Sequence, residues 1–274
     1  MSDKMLDILE SRYEIFVSDR DNIAFSCPAS ELLDAGKLKK LLELYTPMVK
    51  GTEQAVGEVY MTSWFRGPML GLLYMLSAWN RSLDLSLDNL TVQIYSSVYN
   101  GKSYYRCGFL MDRSEWREGP AEQDANAEWA KEEISRFFEH TVRPVFETIA
   151  SVGTQKTAML WSQLPTSLEY GFDLMMNSEE SESVKELARR NYGLAKALEG
   201  ERFGRSKNPL DVKFRMTESM TEEGKQVRMK FGCCLYYLVE DGYYCFTCPR
   251  LKESERDRRR AEFRAAKQAE KQAQ

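Results

Sequence analysis

Phe231-Gly232-Cys233-Cys234-Leu235-Tyr236-Tyr237-Leu238-Val239-Glu240-Asp241-Gly242-Tyr243-Tyr244-Cys245-Phe246-Thr247-Cys248-Pro249 holds four of the six cysteines of the chain. An adjacent thiol pair, a ten-residue spacer and a Cys-x-x-Cys pair can close four thiolates around one inorganic centre, because the spacer is long enough to fold back. Gln226 to Val239 reads as a strand and Glu240-Asp241-Gly242 as the turn after it, which predicts a C-terminal cysteine-rich β-hairpin. Consecutive strand positions point to opposite faces. The backbone at Gly232-Cys233-Cys234 must therefore leave regular strand geometry for both thiols to bind one centre, and Gly232 gives it that freedom.

Three chemistries compete for Cys233, Cys234, Cys245 and Cys248. Structural zinc wants four tetrahedral ligands, usually delivered by two Cys-x-x-Cys knuckles, and only Cys245 to Cys248 has that form. Dithiol redox chemistry needs one Cys-x-x-Cys pair opening a helix after a strand; that helix pattern is missing, and the adjacent pair would go unused. An iron–sulfur cluster spreads four thiolates over two or more irons, so its ligands approach from different directions and an adjacent pair is less awkward. On spacing alone all three stay open, with iron–sulfur ahead of zinc.

The same residues resemble the [2Fe-2S] signature of the FhuF-like ferric-siderophore reductases: Cys233-Cys234-Leu235 with tyrosine following, a Gly-containing turn, then the aromatic-flanked Cys245-x-x-Cys248-Pro249. The close match runs from about residue 227 to 251, and a looser one takes in the helical stretch around Trp161. The resemblance implies that Cys233, Cys234, Cys245 and Cys248 are the cluster ligands. It further implies delivery of one electron to siderophore-bound Fe(III), releasing Fe(II), which hard oxygen donors hold far less tightly. A reduced ferredoxin or flavodoxin-like protein is then expected as electron donor. The rival expectations are an iron–sulfur carrier or sensor, and a non-enzymatic module with structural zinc on the same cysteines.

Working outward, apolar spacing predicts helices over residues 4–17 and around Leu38 to Tyr45, the latter ending near Pro47. Two more are predicted between Thr52 and Trp79, broken at Gly67-Pro68. Leu90–Tyr99 and Ser103–Met111 flank Asn100-Gly101, which predicts a hairpin with a primed turn. Residues 115–120 read as a linker, Ala121–Ala150 as a long helix bent at Pro144, Thr154–Met176 as a helix broken at Pro165, and Ser181–Leu198 as a shorter one. Lys213–Met216 reads as a strand joined to Gln226 by the turn Thr221-Glu222-Glu223-Gly224. The fold class expected is α+β, mainly helical, with an N-terminal β-hairpin or sheet region and the cysteine-rich hairpin at the other end. The expected parts are 1–118, 119–250 and a charged tail or helix at 251–274.

At 274 residues with 43% hydrophobic and 29% charged side chains, the chain has ordinary globular proportions and needs no cysteines to hold it together. A formal net charge of -4 argues against nucleic-acid binding by long-range attraction. Acids near the N-terminus argue against an export signal, and the longest apolar run, Pro68 to Trp79, is too short for the roughly 20 residues of a membrane span. A cytoplasmic location is expected, where clustered cysteines bind metals or do redox chemistry instead of forming disulfides. No Gly-x-Gly-x-x-Gly follows a strand, so no bound nicotinamide or flavin is expected.

Around the motif, Arg202, Arg205, Lys207, Lys213, Arg215, Arg228 and Lys230 would form either a basic face for an anionic complex or a solvated surface. Tyr236, Tyr237, Tyr243 and Tyr244 would line the centre or pack across strands. His140 lacks metal-ligand spacing and reads as a helix-surface residue, Cys27 and Cys107 as small buried residues, and Arg256 to Arg264 as part of a plain charged helix.

Overall fold

Apolar residues three and four apart place the first helices as the periodicity predicts. The computed structural model, which describes residues 2–272, begins with α1 (Ser2–Tyr13), β1 (Ile15–Phe16), β2 (Ile23–Pro28), α2 (Ala35–Met48), α3 (Gln54–Met61) and α4 (Arg66–Tyr74). Asp34 caps α2, its carboxylate accepting from the Lys37 backbone N–H at 2.9 Å. The break expected at Gly67-Pro68 falls one turn earlier, as a 3₁₀ stretch over Thr62–Phe65. Pro68 sits in the first turn of α4, where its missing N–H would have had no helical partner.

β3 (Arg81–Ser82), β4 (Leu90–Tyr99), β5 (Lys102–Met111) and β6 (Arg117–Glu118) follow. β4 and β5 form the expected hairpin, with Asn100 at φ 49° and Gly101 at φ 72°, the backbone of a primed turn. The sheet order is β1-β5-β4-β2, with β1 parallel to β5 and the other pairs antiparallel. One face buries Val92, Ile94 and Phe109 against the helices, Phe109 lying 5.6 Å from Phe65 between ring centres. β6 pairs with β3, so the stretch expected as a linker carries a strand that ties it to the first part of the chain.

The rest is α5 (Gln123–Arg136), α6 (Arg143–Val152), α7 (Thr157–Trp161), α8 (Leu164–Met176), α9 (Glu182–Ala197), β7 (Met216–Glu218), β8 (Gln226–Arg228) and α10 (Glu253–Gln272). A π-helical stretch over Phe137–Val142 takes up the irregularity before Pro144, and the chain breaks between α7 and α8 just before Pro165. Trp161 is buried among Phe146, Phe203 and Phe138, at 4.7, 5.3 and 6.3 Å between ring centres. Truncating an aromatic so enclosed typically costs about 3–5 kcal/mol. The class is the expected one, mainly helical α+β. A single hydrophobic core runs from Leu9 to Leu210, and the boundary expected at residue 118 lies inside it. No described helix is long and apolar enough to cross a membrane.

The expected C-terminal cysteine-rich β-hairpin is not there. The hairpin lies upstream, β7 pairing with β8 around Gly224 at φ 72°, and it contains no cysteine. Residues 231–249 form an irregular loop with a 3₁₀ turn at Tyr236–Leu238 and one bridge from Val239 to Gly51. Period-two alternation would have sent Cys233 and Cys234 to opposite faces. Leu235 at φ 56° and Asp241 at φ 58° instead curl the chain back on itself.

Candidate metal centre

The loop is held from four sides before any thiol is considered. From the α2–α3 connection, the Thr52 backbone N–H and hydroxyl both donate to the Leu238 carbonyl, at 2.9 and 2.7 Å, and the Glu240 N–H donates to Lys50. From α8 and the turn before it, Gln163 donates to the Cys233 carbonyl at 3.3 Å and the Thr166 hydroxyl accepts from the Phe231 N–H at 2.9 Å. Gly232 packs so closely on Ser162 and Gln163 that a Cβ would collide with both, so its role is room for this contact. Its φ is not in the left-handed region, and the conformational freedom expected of it is taken up at Leu235.

The third side is α3. Ala55, Val56 and Val59 form a small apolar cluster with Cys233, Leu235, Cys248 and Leu251, separate from the main core. Cys233 and Cys248 are accordingly only 5% and 2% exposed. The fourth side is α10. Arg256 is fully buried and donates to the carbonyls of Phe246, Cys248 and Leu251 at 2.9, 3.0 and 3.4 Å. Arg259 donates to the Tyr244 carbonyl at 2.7 Å, and Arg264 pairs with Glu218 of β7 at 2.9 Å. The helix expected to be a solvated charged tail therefore clamps the loop through one arginine-bearing face.

These supports bring the four thiols into two pairs. Cys233 Sγ lies 3.6 Å from Cys248 Sγ in the buried pair, and Cys234 Sγ lies 3.8 Å from Cys245 Sγ in the outer, half-buried pair. Two thiolates on one tetrahedral metal with bonds of about 2.3 Å sit about 3.8 Å apart. Each pair spans one edge of such a tetrahedron. Two edges are the donor set of a two-iron cluster, which takes two cysteines per iron, so these residues fit [2Fe-2S]. No group of three His, Cys, Asp or Glu gathered about a single point is found among the described residues.

Lys230 marks the outer pair. Its Nζ donates to Cys234 Sγ at 3.0 Å and to Cys245 Sγ at 3.3 Å. Burial lowers the affinity of this amine for its proton, but the bonds and charge of the two sulfurs outweigh it and keep the ammonium protonated. The Cys245 thiol, opposed by burial and helped by Lys230, pushes Cys234 down to about 5, and the same contact pushes Cys245 up, so the metal-free pair shares one proton. Burial pushes Cys233 up to about 11. A metal displaces these protons on binding.

A cleft of about 500 Å³ opens over the outer pair, bordered by Tyr60, Arg66, Tyr170, Lys230, Cys234 and Cys245 among others. Of the basic residues expected as a possible face, only Lys230 reaches it. Arg202 pairs with Glu139 at 2.6 Å, and Arg228 pairs with Asp173. The tyrosines pack on one another, Tyr237 stacking on Tyr244 at 4.4 Å and Tyr236 meeting Tyr243 edge-on at 5.4 Å, and of these four only Tyr236 borders the cleft. Cys27 and Cys107 lie half-buried on β2 and β5, outside the centre, and His140 is exposed. Arg66 and Arg256 carried no usable signal on their own, although Arg256, Arg259 or Arg260, and Arg264 recur at helical spacing. No protein-family model matches this sequence, and no curated protein shows significant similarity to it.

Proposed function

We propose that this chain is a cytoplasmic ferric-siderophore reductase in which Cys233, Cys234, Cys245 and Cys248 hold a [2Fe-2S] cluster. One electron, received from a reduced ferredoxin or flavodoxin-like donor, passes to siderophore-bound Fe(III), and iron leaves as the weakly held Fe(II). The observation that carries the reading is the sulfur geometry, two pairs at 3.6 and 3.8 Å with one pair bordering a cleft. When bound, the cluster supplies a one-electron couple and needs no acid or base on the substrate.

The protein's part is to bias and insulate that couple. The pair Cys233/Cys248 is packed under α3 away from solvent, whereas Cys234/Cys245 faces the cleft and takes both hydrogen bonds from the Lys230 ammonium. Hydrogen bonds and positive charge at the sulfurs favour the added electron, so Lys230 raises the potential. Lys230→Met is expected to lower the midpoint by several tens of millivolts, since about 59 mV corresponds to a tenfold change for one electron. A redox titration followed by electron paramagnetic resonance reads this, and an unchanged midpoint would refute the role given to Lys230.

The function itself is tested by anaerobic mixing. Chemically reduced protein is expected to be reoxidised by ferric siderophore while Fe(II) appears in a chelator trap. Reoxidation by a protein partner without any transfer to ferric complexes would make the chain a carrier or sensor. Colourless protein holding one zinc would make the centre structural.

A further inference from the structure

We propose that the cleft over Cys234 and Cys245 is the seat of the electron acceptor and that it takes an anionic Fe(III) chelate, whose carboxylate or catecholate oxygens dock on Arg66. The proposal rests on the cluster reading above and adds to it a place, a charge class and an anchoring residue.

The walls come from four elements: the end of α3 with Tyr60, the 3₁₀ stretch with Thr62 and Ser63, the start of α4 with Arg66, and α8 with Thr166, Ser167 and Tyr170. The cysteine loop forms the remaining side. The side chains bordering the cleft include no aspartate and no glutamate, and two of them are cations. Lys230 is committed to the thiols. Arg66 has no hydrogen-bond or ion-pair partner among the described residues. The contrast with its neighbours is sharp, because Arg66 also borders the two adjoining clefts, where Arg12 pairs with Glu180 at 3.5 Å and Arg106 pairs with Glu14.

The hydroxyls sort the same way. Thr62, Ser63 and Ser167 donate to carbonyls of their own helical turns, and Thr166 accepts from Phe231. The groups left to meet a ligand are the guanidinium of Arg66 and the phenols of Tyr60, Tyr170 and Tyr236. A planar guanidinium matches paired oxygen acceptors, and phenols add aromatic faces with donors at their tips. A volume of about 500 Å³ lies within the range of small-molecule sites. Four thiolates outweigh the positive charge of a two-iron core, so an anion approaching this side is repelled unless a free cation meets it. Arg66 is placed to be that cation, which makes anionic chelates, and not neutral ones, the ligands most dependent on it.

The test separates binding from electron transfer by using Ga(III), which has the charge and nearly the size of Fe(III) but accepts no electron under these conditions. The full chain with its cluster is titrated calorimetrically with an anionic gallium tris-catecholate and with a neutral gallium tris-hydroxamate. The expected results are tighter binding of the anionic complex, a roughly tenfold or greater loss of that binding in Arg66→Gln, partial recovery in Arg66→Lys, and neutral-complex binding unchanged within about twofold. The visible spectrum of each variant should equal that of the parent protein. Failure of the parent protein to bind the anionic complex, or equal weakening of both complexes in Arg66→Gln, overturns the proposal. The two readings fail separately. Binding through Arg66 without reduction of the iron complex defeats the reductase and leaves the site. Reduction of an anionic iron complex with KM unchanged in Arg66→Gln defeats the site and leaves the reductase.

Discussion

Cys245→Ser is expected to lose or alter the visible charge-transfer absorption of the protein, together with its complement of about two irons and two acid-labile sulfides, while Cys107→Ser leaves both intact. Cys245 stands 3.8 Å from Cys234 on one tetrahedral edge, so removing it leaves one metal position with a single protein thiolate. The serine hydroxyl is a poor substitute because it gives up a proton far less readily. Cys107 lies on β5, paired with Ile94 of β4, and burial pushes its thiol well above the ordinary range, keeping it a neutral side chain of the sheet. Iron and sulfide analysis with the absorption spectrum decides the matter. Equal damage from both substitutions would sink the ligand assignment, and a parent protein with zinc and no colour would sink the cluster.

Arg256→Met should be the most destabilising change on α10, lowering stability by about 3–5 kcal/mol. The guanidinium is fully buried and serves the carbonyls of Phe246, Cys248 and Leu251. Methionine restores much of the volume but no donor, and each buried acceptor left without a partner costs about 1–3 kcal/mol. Because these carbonyls flank Cys248, loosening them should also speed cluster loss to a chelator. Arg256→Lys should recover little, since a single ammonium cannot reproduce the planar fork. Arg258→Ala serves as the comparison: its partners Glu255 and Glu262 are on the solvent side, and such exposed pairs contribute less than about 1 kcal/mol. Denaturant unfolding and the rate of bleaching measure both effects. Similar small losses for Arg256→Met and Arg258→Ala would show that α10 does not clamp the loop.

Much of the scaffold is legible in the chain because its signals are local. Asn100-Gly101 specifies its turn through positive φ at two successive residues, and the hairpin follows with β4 and β5 in the register the turn sets. Pro47, Pro144 and Pro165 mark helix ends and breaks through a missing N–H, whatever packs around them. The strand expected over Gln226–Val239 shrank to Gln226–Arg228, because a propensity for extended backbone does not reveal that four thiols must turn toward shared points.

The sequence by itself determined the helical α+β class, the β4–β5 hairpin and the identity of the four thiols, since periodicity, turn chemistry and motif spacing act over a few residues. Only the tertiary structure decided how those thiols divide into a buried and an outer pair, because that division depends on α3 covering one side and a cleft opening on the other. It alone joined residues 50–66 to a motif more than 160 positions later, and turned α10 from a charged tail into a clamp. Those contacts are set by which faces meet when the core closes, and no residue within reach along the chain records them.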